Sequence, residues 1–183
     1  MKIFPAIIFG ICLLMTVSCK EEPKGEPSME PVAMEVSTFY FIRHAEKDRS
    51  NPGDPDPELS QKGLGRAMHW AEILNDVPLD AIYSTDYKRT EMTAAPTAVK
   101  QNLTVQYYDP GTMDAAAFKT ENTGRNVLVV GHSNTTPDVI NRLTGEDRFS
   151  MMDDDDNGSL FIVTMVGSQT SVSQLHFNCN CPD

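Results

Sequence analysis

The sequence of 183 residues is poor in basic residues, with 15 Lys and Arg against 26 Asp and Glu and a formal net charge of −11. A nucleic-acid-binding protein needs a basic stripe that displaces counterions from phosphates, so this class of function is disfavoured. An acidic surface also repels anions at long range. A site for a phosphorylated ligand therefore has to create its positive potential locally.

The sequence also lacks an apolar run of membrane-spanning length at its start, where residues 3–17 supply about fifteen residues and a span needs ~20. Lys2 precedes this run and small residues follow it, which is typical of an export signal. The four residues that end on Cys19 resemble the lipobox of bacterial lipoproteins, although Thr16 stands where Leu is usual. The resemblance implies cleavage before Cys19 and lipidation of its thiol. An ordinary signal peptide or an uncleaved anchor is the alternative.

Four regions are expected from this organisation. Residues 1–18 are assigned to a lipoprotein signal peptide, and residues 19–35 to a Pro/Glu-rich tether that favours extended polyproline II. Residues 36–178 are predicted to form the folded domain, and residues 179–183 a C-terminal tail. The protein is therefore expected in the cell envelope as a lipid-anchored membrane lipoprotein, on the periplasmic or outer-surface face.

Cysteine is scarce, with four residues in the chain, of which Cys12 leaves with the signal and Cys19 is the expected lipid anchor. Cys179 and Cys181 lie too close to the end of the chain to close a useful loop. They could form a strained disulfide or a weak metal site. An exposed tail without a role is the interpretation that we favour.

Strand-like and helix-like segments alternate along the expected domain and end in two consecutive strands. The predicted strands are residues 37–42, 79–84, 103–108, 126–131, 160–166 and 171–177, and the predicted helices are residues 61–75, 87–100, 113–120 and 136–144. This order indicates an α/β three-layer sandwich, with a mainly parallel central sheet, flanking helices and an antiparallel edge. In the first helix, spacing predicts a buried face that leaves Trp70 outside it. That face consists of Leu64, Ala67, Met68, Ala71 and Leu74.

Cationic and imidazole side chains follow three of the predicted strands. Arg43 and His44 follow the first strand, Arg89 lies after the second, and His132 follows residues 126–131. Ligands of such sheets bind beyond the carboxyl ends of the strands, so these side chains should meet at one rim. Two guanidinium groups and two imidazoles together cost stability unless an anion binds there, and a phosphoryl group suits them.

Four sequence blocks in this order resemble the histidine phosphatase (phosphoglycerate mutase-like) superfamily. The blocks are residues 41–46 (Phe-Ile-Arg-His-Ala-Glu), 59–67, 83–94 and 129–134. Ala45 departs from the family pattern, which usually has Gly after the nucleophilic His. Because no long insertion interrupts the blocks, the chain is more similar to the small bacterial phosphatases, including phosphohistidine phosphatases, than to the larger mutases.

The resemblance implies a metal-independent phosphatase without a cofactor, acting on a small phosphomonoester or phosphohistidine. His44 would be the nucleophile that forms a phosphohistidine intermediate, since a neutral imidazole is available near pH 7. Arg43, Arg89 and His132 would bind the phosphoryl oxygens and stabilise the transition state. The expected partners are the phosphorylated substrate and, through the lipid, the membrane. A phosphoglycerate mutase-like phosphotransferase and a catalytically silent phosphate-binding lipoprotein are the alternatives.

Two residues are candidates for the group that protonates the leaving group. Family members place a carboxylate soon after the third strand or directly after the second His, and Ser133 excludes the second arrangement. Asp109 fits the first arrangement and Asp114 is the reserve candidate. A turn former before Pro110 is an equally open interpretation of Asp109.

Further polar residues are weaker candidates. Asn51, Ser84 and Asn134 are predicted to contact the substrate, and Asn134 is also placed to cap the following helix. Glu46 is expected to position Arg43 or a helix end. The acidic run at residues 153–156 lacks the interleaved ligands of a calcium site, which predicts a solvated loop.

We predict that Cys19→Ser moves the protein from the membrane fraction to the soluble fraction. A single acyl chain binds membranes only marginally, so stable anchoring requires the several chains of a lipoprotein. Fractionation of cells that express the wild type and the variant measures this. Unchanged membrane association of the variant would instead indicate an uncleaved anchor.

Overall fold

The computed structural model describes residues 34–181, in which strands and helices alternate until a final β-hairpin. The strands are β1 (Val36–Arg43), β2 (Ala81–Ser84), β3 (Val105–Tyr107), β4 (Asn126–Gly131), β5 (Ser159–Val166) and β6 (Gln169–His176). The helices are α1 (Gln61–Ile73), α2 (Lys88–Gln101), α3 (Ala115–Glu121) and α4 (Thr135–Thr144). The predicted signal peptide, the lipidation site Cys19 and nearly all of the tether lie outside the described residues. Within residues 34–181, no helix is both long and apolar enough to cross a bilayer.

The strands of the described residues form one sheet in the order β3-β2-β4-β1-β5-β6. The pairs β1–β4, β2–β4 and β2–β3 are parallel, whereas β5 pairs antiparallel with both β1 and β6. Gly167 adopts a positive φ of 57° in the β5–β6 turn, a conformation that glycine adopts without a steric penalty. The predicted α/β sheet with a parallel centre and an antiparallel edge is therefore confirmed.

Helices cover both faces of the sheet. The core on one face includes Trp70 of α1 and Ala94 of α2, and the core on the other includes Phe118 of α3 and Ile140 of α4. β4 contributes side chains to both cores because its residues alternate between the two faces. Its continuous apolar sequence thus reflects a strand buried on both sides.

The buried face of α1 differs from the predicted one. Trp70 is 0% exposed and packs edge-on against Phe177, whereas Leu64 and Met68 are 39% and 57% exposed. The prediction was wrong for these three residues because α1 turns Trp70 towards the core on this face of the sheet, where the ring also meets the chain after β6. Nη1 of Arg66 donates to the Phe177 carbonyl oxygen at 3.3 Å, so α1 buries a side that helical periodicity alone does not reveal.

The chain ends also depart from prediction. A disulfide joins Cys179 and Cys181, and Cys181 lies against Gly65 of α1, so the tail is docked rather than free. Pro96 lies within α2, which continues to Gln101.

The loop after β1 is fastened to the start of α1. Ser60 caps α1, with its Oγ accepting from Gly63 N at 3.1 Å, and its own N–H donates to the Glu46 carbonyl oxygen at 2.9 Å. Gly63 lies so close to Glu46 that a Cβ at this position would overlap the Glu46 carbonyl oxygen. The Glu46 carboxylate accepts from Nε and Nη2 of Arg66 at 2.7–2.9 Å. These contacts hold the segment that follows Arg43.

Candidate active site

β1, β2 and β4 end along one rim of the sheet. Arg43, the last residue of β1, pairs in register with Gly131 of β4, and His44 N donates to the Gly131 carbonyl oxygen at 2.9 Å. Thr85, directly after β2, donates its N–H to the Val130 carbonyl oxygen at 3.4 Å. The structure therefore brings together the three strand ends from which the sequence predicted a site.

His44 is buried, and its two ring nitrogens have different environments. Nδ1 lies 2.7 Å from the Ala45 carbonyl oxygen, which can only accept, so Nδ1 carries the proton and Nε2 the lone pair. Burial lowers the pKa of His44 to about 3; the Ala45 hydrogen bond opposes this shift and the charge of Arg43 adds to it. His44 is therefore neutral near pH 7, with Nε2 available as a nucleophile.

His132 lies beside His44, with the ring centroids 5.4 Å apart. Its Nε2 is 2.8 Å from Thr85 Oγ1, which in turn is 3.0 Å from Thr90 Oγ1. Burial lowers the pKa of His132 to about 4, and the charges of Arg89 and Arg43 contribute to this shift. The imidazole is thus oriented by a hydroxyl pair and is neutral near pH 7.

The guanidinium of Arg43 is 2% exposed and is held by a distant loop. Nη1 donates to the carbonyl oxygens of Asp153 and Asp156 at 2.8 and 3.3 Å, and Nη2 donates to the Asp154 carboxylate at 2.9 Å. Nε is buried and has no acceptor among residues 34–181. A buried donor without an acceptor is costly, and an anion such as a phosphoryl oxygen would satisfy it.

Arg89 has a similar unsatisfied donor. Its Nη1 donates to the Asp56 carboxylate at 3.3 Å, and its guanidinium carbon lies 4.4 Å from the centroid of the Tyr87 ring. Nε is buried, again without an acceptor in the described part of the chain. Burial lowers the pKa of Arg89, although the group stays charged. The Nε donors of Arg43 and Arg89 are therefore both suited to bind an anion at the same rim.

A cavity of about 760 Å³ opens onto Arg43 and His44. Its walls carry charges of both signs. The lining residues are Arg43, His44, Glu46, Lys47, Arg49, Lys62, Asp153, Asp154, Asp155 and Asn157. The acidic run was predicted as a solvated loop, and this interpretation was incomplete, because its backbone and carboxylates contact the candidate site.

The residues predicted to contact the substrate differ in their placement. Asn51 is exposed, and its Oδ1 accepts from Gly53 N at 3.1 Å in a separate, smaller pocket. Ser84 is fully buried and donates to the Thr85 carbonyl oxygen at 2.9 Å, since alternate strand residues take opposite faces. Thr85, which follows it, contacts His132 and is the residue that the sequence interpretation missed. The sequence signal for Thr85 was its hydroxyl side chain directly after a predicted strand.

Asn134 differs from expectation, whereas Glu46 fulfils the second of its two expected roles. Asn134 is exposed and makes no side-chain capping hydrogen bond, whereas Thr135 Oγ1 accepts from His132 N at 3.2 Å. The expected contact of Glu46 with Arg43 is absent from the described residues, since the carboxylate is engaged by Arg66. Glu46 thus positions α1.

Both candidate proton donors make local hydrogen bonds. The Asp109 carboxylate accepts from Gly111 N at 2.8 Å and from Thr112 Oγ1 at 3.0 Å. Asp114 caps α3, accepting from the N–H groups of its first turn at 2.8 and 3.1 Å. Both are exposed, and neither lines the cavity of Arg43 and His44. The hydrogen bonds of Asp109 to Gly111 and Thr112 fit the interpretation of Asp109 as a turn former.

Part of the chain matches a known family. Residues 39–110 match the family model of the histidine phosphatase superfamily (branch 1). Over 72 residues the chain is 42% identical to phosphoserine phosphatase 1 of Hydrogenobacter thermophilus, which is 37% of this chain and 34% of that protein. The match therefore spans about a third of the curated relative's length. Arg43, His44 and Arg89 lie inside the family match, whereas His132 lies beyond it.

The fold is similar to solved structures over most of the chain. It resembles the protein histidine phosphatase SixA complexed with tungstate, with a TM-score of 0.59 and 16% identity over 76% of this chain and 96% of that one. It also resembles a phosphoglycerate mutase from Bacillus anthracis, with a TM-score of 0.56 and 16% identity over 78% and 93% of the two chains. The predicted phosphoglycerate mutase-like sandwich is therefore confirmed.

We predict that the ring protons of His44 and His132 titrate well below the usual histidine pKa of ~6.5. The folded pKa values, about 3 and about 4, lie below those of the unfolded chain. The unfolded chain therefore binds more protons at acidic pH, and the stability contributed by the two neutral rings is lost as pH falls from ~6.5 towards these values. Bound phosphate should raise both pKa values, because an anion favours imidazolium.

NMR titration with and without inorganic phosphate measures these values, with resonances assigned by His44→Ala and His132→Ala. Titration of both rings near pH 6.5 and no response to phosphate would contradict the site geometry.

Proposed function

We propose that the chain, whose residues 39–110 match the histidine phosphatase superfamily, is a member of that superfamily and hydrolyses a small phosphomonoester or phosphohistidine. One observation carries the proposal: the Nε2 lone pair of neutral His44 shares a rim with the buried, unsatisfied Nε donors of Arg43 and Arg89. A nucleophile beside two anion-binding groups is the arrangement that phosphoryl transfer requires.

In the first step, Nε2 of His44 attacks phosphorus in line and a new P–N bond forms. The P–O bond of a phosphomonoester, or the P–N bond of a phosphohistidine substrate, breaks, and an alkoxide leaving group takes its proton from the general acid. Arg43 and Arg89 bind the equatorial oxygens and offset the negative charge that they carry in the transition state. His132, whose Nε2 is held by Thr85 Oγ1, would assist the two arginines. In the second step, water attacks the phosphohistidine, inorganic phosphate is released and neutral His44 is restored.

We further propose that the enzyme acts in the cell envelope, anchored through a lipid on Cys19. The apolar run at residues 3–17, the lipobox-like residues and the Pro/Glu-rich tether support this location. A tether of this composition would hold the domain some distance from the membrane surface.

A phosphate-binding protein without turnover is the second candidate function. It is favoured by one observation, that Asp109 and Asp114 are both engaged in local hydrogen bonds. The arginines and histidines would then bind phosphate, and slow protonation of the leaving group would prevent hydrolysis. Assays of the nucleophile and of the proton donor separate the two functions.

We predict that His44→Ala abolishes hydrolysis of p-nitrophenyl phosphate without unfolding the protein, because Nε2 of His132, the other imidazole at the rim, is engaged by Thr85 Oγ1. His69→Ala, on α1 and outside the cavity, is the matched control and should retain full activity. Rapid quenching of the wild type with labelled substrate should trap an acid-labile phosphoprotein that the variant lacks. Label on another residue would mean that the nucleophile is misassigned, and no hydrolysis by the wild type would favour the binding protein.

Asp109 remains the proposed proton donor because Tyr108 N donates to the Ser84 carbonyl oxygen at 3.1 Å, which brings the end of β3 to the same rim as Thr85. We predict that Asp109→Asn slows alkyl phosphate hydrolysis by ~10²–10⁴-fold, the usual contribution of general acid catalysis. Hydrolysis of p-nitrophenyl phosphate should change little, since p-nitrophenolate leaves without protonation.

Asp114→Asn is the control for this comparison and should alter neither rate. Unchanged alkyl phosphate hydrolysis in Asp109→Asn would assign Asp109 to the turn alone and would favour phosphohistidine, whose protonated imidazole leaves readily. An equal loss on both substrates would indicate damage to the fold.

A further inference from the structure

The aromatic ring of Tyr87 contacts two groups of the candidate site at once. Cζ of the Arg89 guanidinium lies over the ring at 4.4 Å from its centroid, well within the ~6 Å range of a cation–π contact. The ring also meets His132 in a T-shaped contact, with the ring centroids 4.9 Å apart and the two planes at 86°. The Tyr87 ring therefore connects the segment after β2 with the imidazole at the end of β4.

The backbone of Tyr87 is held where α2 begins. Tyr87 is the N-cap residue of this helix, although its side chain makes no capping hydrogen bond. Its N–H donates to the Thr85 carbonyl oxygen at 2.9 Å, and its own carbonyl oxygen accepts from N and Oγ1 of Thr90 at 3.1 and 2.8 Å. The same Thr90 hydroxyl lies 3.0 Å from Thr85 Oγ1, which contacts Nε2 of His132. The backbone and the contact with His132 together fix the position of the ring.

The two arginines of the site are held by different means. The Arg43 guanidinium makes three hydrogen bonds to the loop before β5, at 2.8 to 3.3 Å. Within the described part of the chain, the Arg89 guanidinium makes one, from Nη1 to the Asp56 carboxylate at 3.3 Å. One long hydrogen bond does not fix the plane of a guanidinium, whereas an aromatic face stacked against it does. The orientation of the buried Nε donor of Arg89 therefore depends on the Tyr87 ring.

The Tyr87 ring contributes little to the hydrophobic core. The residue is 42% exposed and is not among the core residues on either face of the sheet. The stability gained by burying a side chain scales with the apolar area removed from water, so replacement of this ring should leave the fold intact. The consequences of its loss are expected at the site, where Arg89 would lose the surface that orients it.

We propose that Tyr87 is a positioning residue that orients the Arg89 guanidinium, so that its buried Nε donor faces the phosphoryl group. This inference rests on the proposed phosphatase function and assigns the orientation of Arg89 to an aromatic face. The phenol hydroxyl takes no part in this role. Tyr87→Phe should therefore preserve it, whereas Tyr87→Leu should not, because leucine lacks the negative ring face that attracts a cation.

The test measures the dissociation constant of inorganic phosphate by NMR titration of the wild type and the two variants. Tyr87→Leu should weaken phosphate binding by about three- to tenfold, the usual contribution of a cation–π contact. Tyr87→Phe should stay within about twofold of the wild type, because its ring also attracts the guanidinium. The kcat/KM for p-nitrophenyl phosphate should fall in parallel in Tyr87→Leu, since the same guanidinium binds the substrate.

A double-mutant cycle with Arg89→Ala separates positioning from a structural effect on the start of α2. Without a guanidinium to orient, Tyr87→Leu should change the dissociation constant of phosphate by less than about twofold, as expected for residues that no longer interact. An equal loss in both backgrounds would overturn the inference. A loss in Tyr87→Phe as large as that in Tyr87→Leu would overturn it as well.

The matched control is Tyr107→Leu on the edge strand β3, where the residue is 54% exposed and lies outside the cavity of Arg43 and His44. This variant loses the same chemical groups and should bind phosphate as the wild type does. A wild type that binds phosphate but hydrolyses neither p-nitrophenyl phosphate nor an alkyl phosphate would overturn the proposed phosphatase function alone. The effect of Tyr87→Leu on phosphate binding would still decide the role of Tyr87.

Discussion

β1 and β4 pair in parallel over their length, from Thr38 beside Asn126 to Arg43 beside Gly131. Parallel strands end at the same edge of a sheet, so the residues after each strand become neighbours although the chain separates them widely. Gly131 is required at this end, because a Cβ there would meet Thr136 Oγ1 at 2.7 Å. The pairing of these two strands thus determines where the site forms.

Burial sets the protonation states of the histidines at the rim. His44 and His132 lose water, their pKa values fall and both rings are neutral, while Arg43 and Arg89 keep their charges. A strongly acidic protein therefore contains a buried cationic cluster. Carboxylates at its border balance the two guanidinium groups in part, through Asp154 and Asp56, and leave one donor of each for an anion.

Local patterns predicted the order of elements well, because strand and helix propensities act over a few residues. They failed where burial depends on a distant segment. Trp70 packs against strands of the sheet and against Phe177, which lies more than a hundred residues later, so periodicity within α1 pointed to the wrong face. Thr85 rather than Ser84 contacts His132, because neighbouring residues at a strand end point to opposite faces of the sheet.

By itself, the sequence determined that Arg43, His44, Arg89 and His132 follow strands of a parallel sheet, because that requires only the alternation of elements and the handedness of their connections. Tertiary structure alone decided the rest. The proton on Nδ1 of His44 depends on a backbone carbonyl oriented by the fold, and the low pKa depends on burial. Arg43 meets Asp154, 111 positions later in the chain, because folding closes that distance and no local pattern records it.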